Sequence, residues 1–147
     1  MEKLAWSPEM SLGIPMMDDA HKAMIQEMAN LMTASDSEFG SSLFSLIAEI
    51  ERDFCGEEAM MEDINFPALQ SHREQHARVL SALHHVVPEV MQGNCASARK
   101  VIELLPQWFL FHQATMDAAL AVALDLEALQ KTQPASLNPH LDVVREQ

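Results

Sequence analysis

Residues 37–62 read SEFGSSLFSLIAEIERDFCGEEAMME. Leu43, Phe44, Ile47, Ile50 and Phe54 recur at the spacing of one helix side, which predicts a long amphipathic helix. Ser35 and Glu38 stand just before it as a capping box. Near its far end Asp53 and Glu57 lie four apart, so they project as a pair from one face. A lone D-x-x-x-E on a helix is usually a solvated face. Here Phe54 and the Met60-Met61 pair flank it, and a carboxylate buried beside a core needs a compensating cation. Gly56, unfavourable in a helix by about 1 kcal/mol against Ala, points to close backbone packing between the two acids.

Three further helices are expected around this one. The first starts at Asp18 or Asp19, either of which can cap it. Met24, Ile25, Met28, Leu31 and Met32 carry it to Thr33. After the Asn65-Phe66-Pro67 turn a third helix runs from Ala68 to about Pro88. Asn94 can cap a fourth over Cys95–Leu129, kinked or restarted at Pro106. Short connections make this an all-α, up-down-up-down antiparallel four-helix bundle. It spans residues 18–130, with an irregular N-terminal arm (1–17) and a tail (131–147) expected to be loosely attached. Pro8, Gly13 and Pro15 break helix in the arm, while Trp6, Leu12 and Ile14 can pack over the bundle.

The 147 residues suffice for one domain with a real core. Eleven methionines, four glycines and no tyrosine fit helices better than an all-β fold. The formal net charge of −13 argues against nucleic acid or an anionic membrane surface as partner. A solvated acidic surface explains most of it. No apolar stretch approaches the ~20 residues of a membrane span. The start, MEKLAWSPEM, lacks the basic and apolar runs of a secretory signal. Two cysteines make no disulfide framework, so the expected compartment is a reducing cytoplasm. Cys55 and the methionines read as core filling more readily than as redox groups.

Each remaining helix also carries metal-type side chains. His72 and His76 stand four apart on the third helix. Alone, H-x-x-x-H on an acidic helix is more often a surface coincidence than a site. His112 follows Trp108-Phe109-Leu110-Phe111, the most apolar setting of any histidine here. Its bland reading is a core histidine bonded to a carbonyl. Asp117 is five residues on, and an ideal helix rotates that position away. The offset favours two metal ions, touched separately by His112 and Asp117 or bridged by Asp117. His21 lies in the first turn of the first helix, with Asp18 placed to hydrogen-bond its second ring nitrogen. His84 and His85 read as non-ligands, and His140 as a bland tail residue. His21, Asp53, Glu57, His72, His76, His112 and Asp117 are therefore the candidate metal ligands. Bundles hold two metals by such inward-facing sets.

These residues resemble a known pattern, that of the single-domain bacterial hemerythrins. Leu12 through His21 is similar to that family's lead into its first helix. Phe54-Cys55-Gly56-Glu57-Glu58-Ala59-Met60-Met61 resembles its H-F-x-x-E-E-x-x-M segment after the histidine. His72-x-x-x-His76 resembles its histidine pair, and Trp108 through His112 to Asp117 its W-x-x-x-H-x-x-x-x-D. The resemblance covers about residues 6–125. It implies a four-helix bundle around two iron ions joined by an oxo or hydroxo bridge. His72, His76 and His112 would hold one iron, His21 and residue 53 the other, with Glu57 and Asp117 shared. It implies dioxygen as the ligand, on the iron nearer residue 53.

Asp53 departs from the pattern, since the family has histidine there. Asp53 could ligate through oxygen, fall short and leave water in its place, or leave a weak second site. A ligating carboxylate is a hard anion and favours the higher oxidation state. The leading expectation is a non-haem diiron protein that binds O2 for storage, delivery or sensing. The alternative is a diiron oxidase or peroxidase-like enzyme consuming O2 or peroxide. A bundle without metal is a third reading, disfavoured by the six matching ligand positions.

Overall fold

A computed structural model describes residues 4–132 of the chain. Four helical rods form the molecule: α1 (Pro15–Thr33), α2 (Asp36–Asp63), α3 (Leu69–Met91) and a fourth rod. That rod comprises α4 (Ala96–His112), a π-helical segment (Gln113–Asp117) and α5 (Ala118–Thr132). α1 packs on α2, α2 on α3, α3 on α4, and α4 back on α1, which closes an up-down-up-down ring. No strand is found among the described residues.

The helix ends follow from local chemistry. α1 begins at Pro15, earlier than the Asp18/Asp19 start expected. Proline at a first helical position loses only an N–H that would be unpaired anyway, so it opens this helix instead of breaking it. Asp18 lies inside α1 and accepts hydrogen bonds from Ser11 Oγ and the Leu12 N–H, tying the arm to the helix. Ser35 caps α2, and its N–H reaches Glu38 Oε2 at 3.5 Å. α3 runs past Pro88 to Met91. It stops where Gly93 turns left-handed at φ +88°. There the Gly93 and Asn94 N–H groups donate to the Val90 and Glu89 carbonyls, a Schellman closure. Asn94 accepts from the Ala96 N–H at 3.2 Å, just ahead of α4. Pro106 sits inside α4 and starts no new segment; the rod changes character at Gln113 instead.

Two apolar clusters fill the interior. The larger joins Met24, Ile25, Met28 and Leu31 of α1 to Leu43, Ile47, Ile50 and Phe54 of α2, Leu83 of α3 and Phe109 of α4. The smaller gathers Met17, Met61, Leu120 and Ala121. Phe44 is 47% exposed, not a core residue, because one step past Leu43 turns it about 100° off the buried face. Met32 is exposed for the same reason. Phe39 and Leu46 are buried instead. The arm lies across both clusters: Leu4, Trp6 and Met10 pack on the larger, Leu12 and Ile14 on the smaller. A short 3-10 turn (Pro8–Met10) interrupts it. The 131–147 tail with Pro134, Pro139 and His140 lies, beyond Thr132, outside the described residues.

Candidate metal centre

Between the two apolar clusters lies a polar layer. His21 follows Met17 by one helix turn and precedes Met24 and Ile25. Glu57 stands between Phe54 and Met61, and His76 precedes Val79. Asp117 precedes Leu120. All seven candidate residues are buried, and they meet.

Ligand-type atoms converge in two groups. Glu57, His72, His76, His112 and Asp117 form one, and His21, Asp53 and Glu57 the other. The two carboxylates shared by the layer split their oxygens between the groups. Glu57 Oε1 lies 3.3 Å from His72 Nε2 and 3.1 Å from His76 Nε2, while its Oε2 lies 3.3 Å from His21 Nε2. Asp117 Oδ1 lies 3.1 Å from His72 Nε2 and 3.0 Å from His112 Nε2, while its Oδ2 lies 3.2 Å from His21 Nε2. Asp53 Oδ1 stands farther off, 3.8 Å from His21 Nε2.

The π-helical segment explains how His112 and Asp117 meet. Its wider turn brings residues five apart onto one face. The expectation that an ideal helix would separate them, and that this separation argued for two metals, is corrected. Both Nε2 and Oδ1 converge at 3.0 Å. The widened turn is locally supported. Thr115 Oγ1 donates to the Phe111 carbonyl at 2.7 Å, and Gln113 Nε2 donates to the Met10 carbonyl of the arm.

Around two of the imidazoles, those of His76 and His112, the packing is dense. Phe54 stacks on His76 at 3.7 Å between centroids, and Trp108 on His112 at 4.6 Å. His112 Nδ1 donates to Gln75 Oε1 at 3.1 Å. His76 Nδ1 donates to Glu58 Oε2 at 3.3 Å, and Arg73 Nε holds the other Glu58 oxygen at 2.8 Å. Such outer bonds fix ring orientation and leave Nε2 free to ligate. Gln75, Glu58 and Arg73 were not anticipated; only their adjacency to His76, Glu57 and His72 hinted at them. His21 differs. Its Nδ1 has no partner, and Asp18, expected to serve it, bonds the arm instead. Phe109 meets the His21 ring edge-on at 5.2 Å.

The charge balance of the layer follows from its burial. Burial opposes a charged His21, but the adjoining Asp117 and Glu57 carboxylates and the Asp53 charge outweigh it and push its pKa up to about 10. His72 is raised to about 9 by Asp117 and Glu57, again against burial. Burial, and then the Glu57 charge, push Asp53 up to about 9. Burial also works against ionised Glu57 and Asp117, yet the imidazoles set around them hold both well below the ordinary range.

The donor set fits a cation. Asp53 Oδ2, Glu57 Oε1, His76 Nε2 and both Asp117 oxygens are buried without an aligned hydrogen bond. His72 Nε2 and His112 Nε2 face each other at 3.1 Å. Atoms of this kind, close but mutually unsatisfied, are costly unless something positive lies between them. Imidazole nitrogens with carboxylate oxygens suit a transition metal.

His84 lies at the surface, its Nε2 2.9 Å from Glu51 Oε1, and His85 is exposed. Cys55 is exposed and Cys95 buried, and neither is in a disulfide. Gly56 does not mediate tight packing: a Cβ built there meets nothing within 4 Å.

Residues 12–124 match the family model described as the hemerythrin HHE cation binding domain. This chain belongs to the hemerythrin family. It is 33% identical over 124 residues to a bacteriohemerythrin of Ralstonia nicotianae, covering 84% of this chain and 90% of that one. The fold is that of a crystal structure of a hemerythrin L114A mutant (TM-score 0.75, 20% identity). That likeness covers 84% of this chain and 98% of the other. No helix among the described residues is long and apolar enough to cross a membrane.

Proposed function

We propose that this hemerythrin-family chain holds two iron ions and binds O2, for storage, delivery or sensing. His72, His76 and His112 would hold one ion, and His21 with Asp53 the other, while Glu57 and Asp117 would serve both. The observation that carries this reading is the division of the Glu57 and Asp117 oxygens. In each carboxylate, one oxygen faces His72 together with His76 or His112, and the other faces His21. Bound iron would supply the electrons that O2 capture needs. The chain's part is to position these donors and to exclude water. Phe54, Trp108 and Phe109 wall the imidazoles with apolar surface. Iron is assigned through the family, since the same donors also suit manganese or zinc. The two unpaired cysteines are in keeping with a cytoplasmic protein.

Asp53 favours a second reading, an oxidase or peroxidase-like centre consuming O2 or peroxide. Its carboxylate stands beside His21 at 3.8 Å. As a ligand it would add negative charge and favour the oxidised state. Metal analysis with an ultraviolet–visible spectrum tests the common ground. Two irons per chain with diferric charge-transfer bands are expected, and a colourless protein that takes up no iron would refute both readings. Mixing the anaerobically reduced protein with O2 separates them. A coloured form that releases O2 under vacuum supports binding, whereas repeated O2 consumption with a reductant supports the enzyme.

A further inference from the structure

The polar layer is sealed almost everywhere, and a buried metal site still needs a route to it. Asp53 is the one candidate ligand with measurable exposure, 6%, against 0–1% for the other six. It lines a cleft of about 430 Å³ between α1 and α2. Met16, at 56% exposure, marks the outer side of this cleft, and Glu57, at 1%, its inner end.

Sequence makes this cleft. Ala20 and Ala23 of α1 and Gly56 of α2 line it, so neither helix fills the gap. The open space at Gly56 means that this glycine keeps volume free. Asp19 and Glu49 add negative charge to the walls. Arg52 is the only basic lining residue, and its guanidinium is held by Glu49 at 2.9 Å. At the inner end the buried Asp53 Oδ2 has no hydrogen-bond partner.

We propose that the α1–α2 cleft is the port through which divalent cations reach the centre, with Asp53 the carboxylate that receives them and passes them to His21 and Glu57. The proposal rests on the reading of the seven residues as metal ligands. Asp19 and Glu49 raise the local cation concentration at the mouth. Asp53 then offers its unengaged Oδ2, while its Oδ1 already stands 3.8 Å from His21 Nε2. Gly56 and the alanines set how large an ion with its water can pass.

Cobalt(II) uptake by the metal-free protein tests this, followed by its visible absorption in stopped flow, with the final stoichiometry measured separately. Gly56→Leu extends a better helix former into the cleft from a position where a Cβ meets nothing within 4 Å. It is expected to slow loading at least tenfold while the final cobalt content stays that of the unaltered protein. Ala29→Leu, on α1 but lining a different cleft, is expected to leave the rate unchanged. At low ionic strength Arg52→Glu speeds loading about threefold, and the gain fades with salt. Loading of Gly56→Leu within twofold of the unaltered rate, at equal final content, overturns the port. Failure of the unaltered protein to take up any cobalt overturns instead the ligand reading beneath it.

Discussion

The two halves of the polar layer are built to different standards. One half has three imidazoles; two are stacked on aromatic rings and fixed from behind by Gln75 and Glu58, while the third, His72, has an unpartnered Nδ1. The other has one imidazole, His21, with an unpartnered Nδ1, and a carboxylate standing 3.8 Å away beside an open cleft. The difference teaches how one bundle can combine retention with exchange. Dense packing and outer hydrogen bonds fix donor directions, which favours tight, slowly exchanging metal. Loose support and access favour a position where ligands come and go.

The strongest way to break the comparison is to remove what the halves share. Asp117→Ala deletes oxygens facing His72, His112 and His21 at once. Metal content is expected to fall from two ions to one or none. The metal-free protein loses a buried charged partner as well, a destabilisation of about 3–5 kcal/mol. Metal analysis and denaturant midpoints check both effects. Two tightly held metals in this variant would end the idea of a shared carboxylate. Asp53→His comes next, because it acts on one half only. The His72/His76/His112 half should keep its metal, while the lifetime of the oxygenated form rises at least tenfold as the hard anion is removed. Oxygenated-form decay at 25 °C, compared in the two proteins, reads this directly.

The sequence carried the bundle because helix period, caps and short turns agree at every level. It carried the meeting of the seven residues because each lies in a predicted helix beside apolar neighbours. What it hid was local backbone geometry. Pro15 looked like a breaker because a proline opening a helix and a proline ending one share the same letter. The five-residue gap from His112 to Asp117 looked like separation because a π turn has no compositional mark. Gly56 was read as a close contact, yet the space beside it is open. Contacts such as Gln75 to His112 join positions 37 apart, beyond the reach of any helical period. Asp53 was visible as a departure, but the cleft it lines depends on how α1 and α2 pack.

Acidity sharpens the comparison without mutation. His21 and His72 hold protons more firmly folded than unfolded, with pKa values near 10 and 9 against an ordinary 6.5. Their contribution to stability is whole below pH 6.5 and is lost as the pH rises through 9 to 10. Asp53, raised to about 9, acts in the same direction. Glu57 acts oppositely: its contribution is present above pH 4.5 and is lost as the pH falls toward 2. The metal-free protein is therefore expected to lose several kcal/mol between pH 6.5 and 10. Zinc loading should flatten that slope, since the metal takes the place of those protons. Urea midpoints across this range, with and without zinc, decide it; a metal-free protein that gains stability toward pH 10 would contradict the pairing of these imidazoles with the buried carboxylates.

The smallest effect isolates the support of the better-built half. Gln75→Ala removes the acceptor behind His112 Nδ1 but no ligand atom. Gln75 is only partly buried, so global stability should change by under about 1 kcal/mol. The ring loses its fixed orientation, and metal affinity in that half should fall by about 10-fold, at the low end of what such outer partners contribute. His21 has no comparable partner to lose, so the weaker half should keep its affinity. Competition titration with a chromophoric chelator resolves the two steps. Selective weakening of the tighter step would show that outer hydrogen bonding sets the difference between the halves, whereas equal weakening of both would mean that the shared carboxylates set it.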